Sequence, residues 1–285
     1  MRWERGRRSD NIEDRRGMRV TGRGLAGGGI GAIILALVAM YFGVDPSVVL
    51  NQAGGLAPAQ EERRPAPLNP EEERLKDFMS VVLADTEDVW GALFERSGRR
   101  YEAPKLVLFS GAVESACGFA QAAMGPFYCP ADHKLYLDMR FFNDLAQRHE
   151  APGDFAQAYV VAHEVGHHVQ TLLGTSEQVH AARQRADTKE GNALQVRMEL
   201  QADCFAGVWA HHAHRARQVL EPGDTEEALT AAAGVGDDRL QRQTRGVVVP
   251  ESFTHGSSEQ RIRWFQRGMR TGDPSQCDTF EAAQL

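Results

Sequence analysis

His163-Glu164-Val165-Gly166-His167 carries the side chains of this 285-residue chain best suited to chemistry. On a helix, four residues make a little over one turn, so both imidazoles leave the same face and can grip one ion. Neutral imidazole nitrogens suit zinc at about 2.0–2.1 Å. Glu164 follows the first histidine directly, where its carboxylate can take a proton from water polarised by that ion. The spacing thus predicts one catalytic zinc ion held by His163 and His167, with Glu164 as general base. Such a site also needs a third protein ligand and one position left open for solvent. Glu199-Leu200-Gln201-Ala202-Asp203 offers two carboxylates, again four residues apart, among the apolar residues Met198, Leu200, Ala202, Phe205 and Ala206. A buried carboxylate needs a partner. Glu199 is therefore assigned as the third ligand, and Asp203 as acceptor for the second nitrogen of a ligand histidine. A solvated acidic helix face is the ordinary alternative.

These residues need rigid elements beneath them. Residues 154–173 read as a helix that Gly174 stops, with Phe155, Tyr159, Val161, Val165, Val169 and Leu172 as apolar surroundings. A long helix is expected over about 191–219 and a shorter one near 225–233. Asn69-Pro70-Glu71-Glu72 is a helix start, with Asn69 as cap and proline at the first position, and that helix should run to about Glu95. Residues 106–109 and 134–138 read as short strands. The expected fold class is α+β: one mostly helical domain over 71–285 with a small β-sheet. His168 points about 100° away from His167 and is not expected to be a ligand. His211, His212 and His214 fit a helix end, and Asp237-Asp238 a helix cap.

Composition separates the chain's ends. Apolar residues make up 42% and charged residues 25%, ordinary for a globular protein with a core, and the formal charge is -7. Residues 1–23 carry eight Arg against four acids, leaving the remainder at -11. An acidic body argues against nucleic acid as a partner. Residues 24–44 carry no charge over 21 positions, enough for a helix of roughly 30 Å. The reading is a basic cytoplasmic tail (1–23), one N-terminal transmembrane helix (24–44) and a linker (45–70) holding five of the twelve prolines. The body would then lie on the extracytoplasmic side, in the periplasm or at the cell exterior, anchored by an uncleaved span. Gly24–Gly28 and Gly27–Gly31 have the small-xxx-small spacing through which such anchors self-associate. On that side disulfides persist. Four cysteines allow three pairings. Cys117 and Cys129 flank a short turn and suit a local bridge, which leaves Cys204 with Cys277; buried free thiols are the alternative.

The strings HEVGHHVQ (163–170) and ELQADCFAG (199–207) resemble those of the bacterial neutral zinc metallopeptidase family, membrane-anchored proteins with one peptidase domain. SACG (115–118), GPFYCP (125–130), LYLD (135–138), GDDRLQ (236–241) and FTHGSSEQRIRWFQRG (253–268) extend the likeness over about residues 71–280. The resemblance implies a zincin-like fold of the thermolysin-like group, in which a Glu-xxx-Asp helix completes the site, and a peptide or protein substrate. It also implies that the strand around Leu135-Tyr136-Leu137, which precedes the motif helix, is an edge on which an extended peptide could pair; an ordinary sheet edge is the alternative. A transition-state oxyanion would also need a donor. His255, followed six residues later by an arginine as in related membrane zinc peptidases, is the first candidate, with Arg261 second. Two readings compete: a peptidase, and a zinc-binding scaffold or interaction protein of the cell envelope with little turnover. A non-peptidase hydrolase using the same metal is a third.

Overall fold

The computed structural model describes residues 1–17, 69–121 and 125–285. Asn69 opens the first helix as expected, its side chain accepting from the Glu71 N–H with Pro70 at the first helical position. In chain order the elements are β1 (Ile12–Asp14), α1 (Pro70–Arg96), β2 (Lys105–Phe109), β3 (Ala112–Ser115), β4 (Gly118–Gln121), β5 (Phe127–Cys129) and β6 (Lys134–Asp138). Helices then dominate: α2 (Phe141–Arg148), α3 (Asp154–Leu173), α4 (Thr175–Arg183), α5 (Thr188–Arg217), α6 (Asp224–Gly234), α7 (Asp237–Arg245) and α8 (Ser258–Thr271). The α+β, mostly helical class with a small sheet is what forms. The sheet has the order β1-β2-β6-β5, with β5 antiparallel to β6 and the other pairs parallel, while β3 and β4 form a separate hairpin.

Two expectations need correction. The expected transmembrane helix (24–44) and all but the last two residues of the linker (45–70) lie outside the described residues, and among those described no helix is long and apolar enough to cross a membrane. The residues meant to lie on the far side of that helix instead fold with the body. Ile12, Glu13 and Asp14 pair with Leu106, Val107 and Leu108, Trp3 stacks edge-on against Phe78, and Arg16 is ion-paired with Glu73. A single crossing between them would separate these partners by a bilayer. Residues 1–16 are thus part of the folded unit, and the single-pass topology with a cytoplasmic tail is withdrawn. The second correction concerns the sheet edge: β6 is flanked on both sides, and the edges are β1 and β5. Three residues, Phe127-Tyr128-Cys129, carry too little alternation to read as a strand.

Packing is tightest where the site helices meet. A Cβ on Gly166 would lie 2.9 Å from the Ala202 carbonyl oxygen, so glycine between the two motif histidines is what lets α3 and α5 touch. One on Gly268 would collide with the Cys204 carbonyl oxygen, which locks α8 onto α5 in the same way. Around these contacts Phe155, Trp209 and Phe265 are fully buried. Disulfides join Cys117 to Cys129 and Cys204 to Cys277. The first ties the β3–β4 hairpin to edge strand β5, and the second ties the 3₁₀ turn Pro274–Cys277 to α5. Bonds of this kind persist in oxidising compartments.

Candidate metal centre

His163 and His167 leave α3 toward α5, and Glu199 meets them from α5. Glu199 Oε2 lies 3.2 Å from His163 Nε2 and 3.5 Å from His167 Nε2. These three atoms form a group compact enough to hold one metal ion, and all three residues line a cleft of about 1170 Å³. Each Nε2 is directed inward because each Nδ1 is engaged elsewhere. His163 Nδ1 donates to Asp203 Oδ1 at 2.8 Å, and His167 Nδ1 to Gln170 Oε1 at 2.9 Å. Glu199 is steered likewise: Gln195 Nε2 donates to its Oε1 at 2.8 Å, leaving Oε2 for the imidazoles. Two imidazole nitrogens and one carboxylate oxygen, each positioned by a partner on its far side, are a donor set that fits zinc.

Asp203 is fully buried and fully satisfied. It accepts from Tyr159 Oη at 2.5 Å and from Arg261 Nε and Nη2 at 2.8 and 2.9 Å, besides His163. Burial would raise its carboxyl, but the charges of Arg261 and His163 hold it below the usual range. Burial alone would depress His163; the charge and hydrogen bond of Asp203, with Glu199, instead raise it to about 9. His167 is also raised, burial being outweighed by the facing Glu199. The same imidazoles keep Glu199 well below the ordinary carboxylate range despite its burial.

Glu164 and His255 line the same cleft. The His255 side chain is half exposed, and its Nδ1 is 3.3 Å from Asp237 Oδ1, an interaction that raises its pKa against the effect of burial. Asp237 Oδ2 also accepts from the backbone N–H groups of Thr254 and His255, so it fixes the loop carrying His255. Asp238 accepts from the Ser258 N–H at the start of α8. Arg261 borders the cleft too, although its Nε and Nη2 are engaged by Asp203 and Tyr159 and only 3% of its side chain is exposed. His168 turns away: its Nε2 meets the Glu102 carbonyl and its Nδ1 the Tyr128 hydroxyl, clamping β5 to α3. His211 and His212 bind the carbonyls of Met269 and Gly272. A second acidic group, Asp154, Asp224 and Glu227, already faces the Met1 amino group and the Phe155 N–H.

The sequence pattern gave Tyr159 only as apolar surroundings and left Gln170 and Gln195 without a role. The signal was present, since each lies three or four residues from a ligand and so shares its helix face.

A family described as "Putative neutral zinc metallopeptidase" matches residues 1–280. The chain belongs to this zinc metallopeptidase family. "Uncharacterized protein YpfJ" of Escherichia coli (strain K12) is 50% identical over 288 residues, covering 98% of this chain and 99% of the relative. "Uncharacterized protein Rv2575" of Mycobacterium tuberculosis (strain ATCC 25618 / H37Rv) is 44% identical over 266 residues, covering 87% and 86%. No solved structure matches the chain. Membership supplies the metal's identity, zinc, and the buried His163 and Glu199 with the half-buried His167 are where this chain can hold it.

Proposed function

We propose that this metallopeptidase-family member is an active zinc endopeptidase, with His163, His167 and Glu199 as ligands and Glu164 as general base. The carrying observation is that both Nε2 atoms face one Glu199 oxygen on the wall of an open cleft that Glu164 also lines. A purely structural zinc site uses four protein ligands; among the described residues the compact group here has three. Zinc, when bound, supplies Lewis acidity and makes hydroxide accessible near neutral pH.

The remaining steps belong to the chain. Glu164 accepts the proton of the attacking water and returns it to the leaving amine. Edge strand β5 offers backbone groups on which an extended peptide can pair, and Phe127 and Tyr128 on it line the cleft. His255, which lines the cleft and whose pKa is raised by its hydrogen bond to Asp237, is the first candidate donor for the oxyanion. Arg261 acts one layer behind, fixing Asp203 and through it the ring of His163. This arrangement is of the thermolysin-like kind.

Glu164→Gln tests the reading. The variant should bind zinc as the parent does while its cleavage of unfolded casein falls by at least about 100-fold. Equal cleavage by both proteins would overturn the assignment of the base. No cleavage by the zinc-loaded parent would favour the scaffold reading.

A further inference from the structure

His167 is oriented by a chain of amides that ends outside the cleft. Gln170 is wholly buried. Its Nε2 donates to the Met198 carbonyl at 2.8 Å and to Gln201 Oε1 at 3.0 Å. Gln201 Nε2 donates in turn to the Cys277 carbonyl at 3.1 Å. Backbone carbonyls only accept, so they decide which way both amides face. Met198 and Cys277 each require an NH₂, which leaves Gln201 Oε1 for Gln170, and Gln170 Oε1 for His167. An oxygen at that point obliges His167 Nδ1 to carry the proton, and the lone pair on Nε2 is then the one free for metal.

The far end is held covalently. The Cys277 carbonyl belongs to a short 3₁₀ turn fixed by the Cys204–Cys277 bond, and Cys204 directly follows Asp203. Beyond the turn, Thr279 Oγ1 donates to the Arg197 carbonyl at 2.6 Å.

We propose that Gln170 and Gln201 are positioning residues that make the disulfide-held C-terminal turn part of the zinc site, setting metal affinity through His167. The proposal rests on the zinc reading above, but not on whether the protein cleaves peptides. Loss of a partner behind a ligand histidine weakens metal binding about 10- to 100-fold, and loss of one hydrogen bond further out about 3- to 10-fold.

The test measures zinc dissociation constants of the full chain by chelator competition, without reference to cleavage. Gln170→Met and Gln201→Met keep side-chain length and remove the amide. Expected are losses of about 10- to 100-fold and 3- to 10-fold respectively. In zinc-loaded protein with ¹⁵N-labelled histidine, Gln170→Met should abolish the protected Nδ1–H signal of His167 and keep that of His163. A role in folding alone would not produce that selectivity. Removing the bridge (Cys204→Ala with Cys277→Ala) should weaken zinc in the parent and have no added effect in the Gln201→Met background. Unchanged affinities in the two glutamine variants overturn the proposal, as does an equal bridge effect in both backgrounds. Should the bridge variant not fold, the glutamine variants decide alone. Zinc binding as expected in a protein that cleaves nothing would overturn the peptidase reading and leave this one standing.

Discussion

Replacing Arg261 with Met removes a charge from the most tightly buried part of the site and leaves the carboxylate it answers. Asp203 has no exposed surface, and Arg261 contributes two of its four hydrogen bonds, the only two from a residue that is always charged. Tyr159 Oη and His163 Nδ1 remain as donors. Breaking a buried ion pair from one side costs about 3–5 kcal/mol, because the surviving charge stays buried without its counter-ion. For a domain of this size each kcal/mol moves Tm by about 2–4 °C, so Arg261→Met should lower the Tm of metal-free protein by about 6–20 °C. Calorimetry on chelator-treated full-length protein is the assay. Arg261→Lys keeps the charge and loses the planar fork, and should fall between parent and Met variant. The double variant Arg261→Met with Asp203→Asn should recover part of the loss, since the stranded charge is gone. A Tm drop under about 3 °C, or a double variant no better than the single, would refute the view that Arg261 is there to answer Asp203.

Zinc affinity should rise with pH. With His163 held at about 9 in the metal-free fold, zinc at neutral pH must displace a proton, and competition titrations should show about tenfold tighter binding per unit up to pH 9. The sign for stability is opposite: a raised histidine stabilises metal-free protein fully below its ordinary value near 6.5, and that contribution fades as pH climbs to about 9. His168 behaves the other way, burial having lowered it to about 4. Its unfolded form binds the proton first, so urea unfolding should show about 2 kcal/mol lost between pH 7 and pH 5, a slope missing from His168→Gln. Gly268→Ala should cost about 3 kcal/mol in the same assay by driving α8 off the Cys204 carbonyl. Gly191→Ala in α5, where an added Cβ meets nothing within 4 Å, should gain about 0.5–1 kcal/mol.

The legible parts were those whose signal is local. Helix α3 reads directly from apolar spacing closed by Gly174, which adopts φ 83° as a left-handed stop requires. The pairing of Glu199 and Asp203 with the histidines followed from two four-residue spacings and the argument that buried acids need partners. What escaped depends on distant residues. Strand β1 is three residues, Ile-Glu-Asp, whose partner lies at Leu106. Its neighbouring arginines read as a solvated tail, yet Arg16 is paired with Asp14 and Glu73 and its side chain is only 3% exposed. Arg261 stood second to His255 as an oxyanion donor by resemblance alone, and its pairing with Asp203, 58 residues away, has no local signal.

The charges at the centre show why this arrangement wants a divalent ion. With both imidazoles neutral, the formal charges of Glu164, Glu199 and Asp203 stand against that of Arg261, three negative and one positive, for a net -2 apart from the neighbouring His255–Asp237 pair. Such an excess is costly where little water reaches. Metal-free protein answers it with protons, which is the physical meaning of two histidines shifted upward beside two carboxylates shifted downward. A dication answers it completely and frees those protons. The division of labour follows from position: Arg261 is fixed on Asp203, behind the ligand ring, and Gln195, a neutral amide, is what steers Glu199. A cation in place of Gln195 would neutralise the ligand carboxylate and compete with the metal. An amide orients the same oxygen and leaves its charge for the ion.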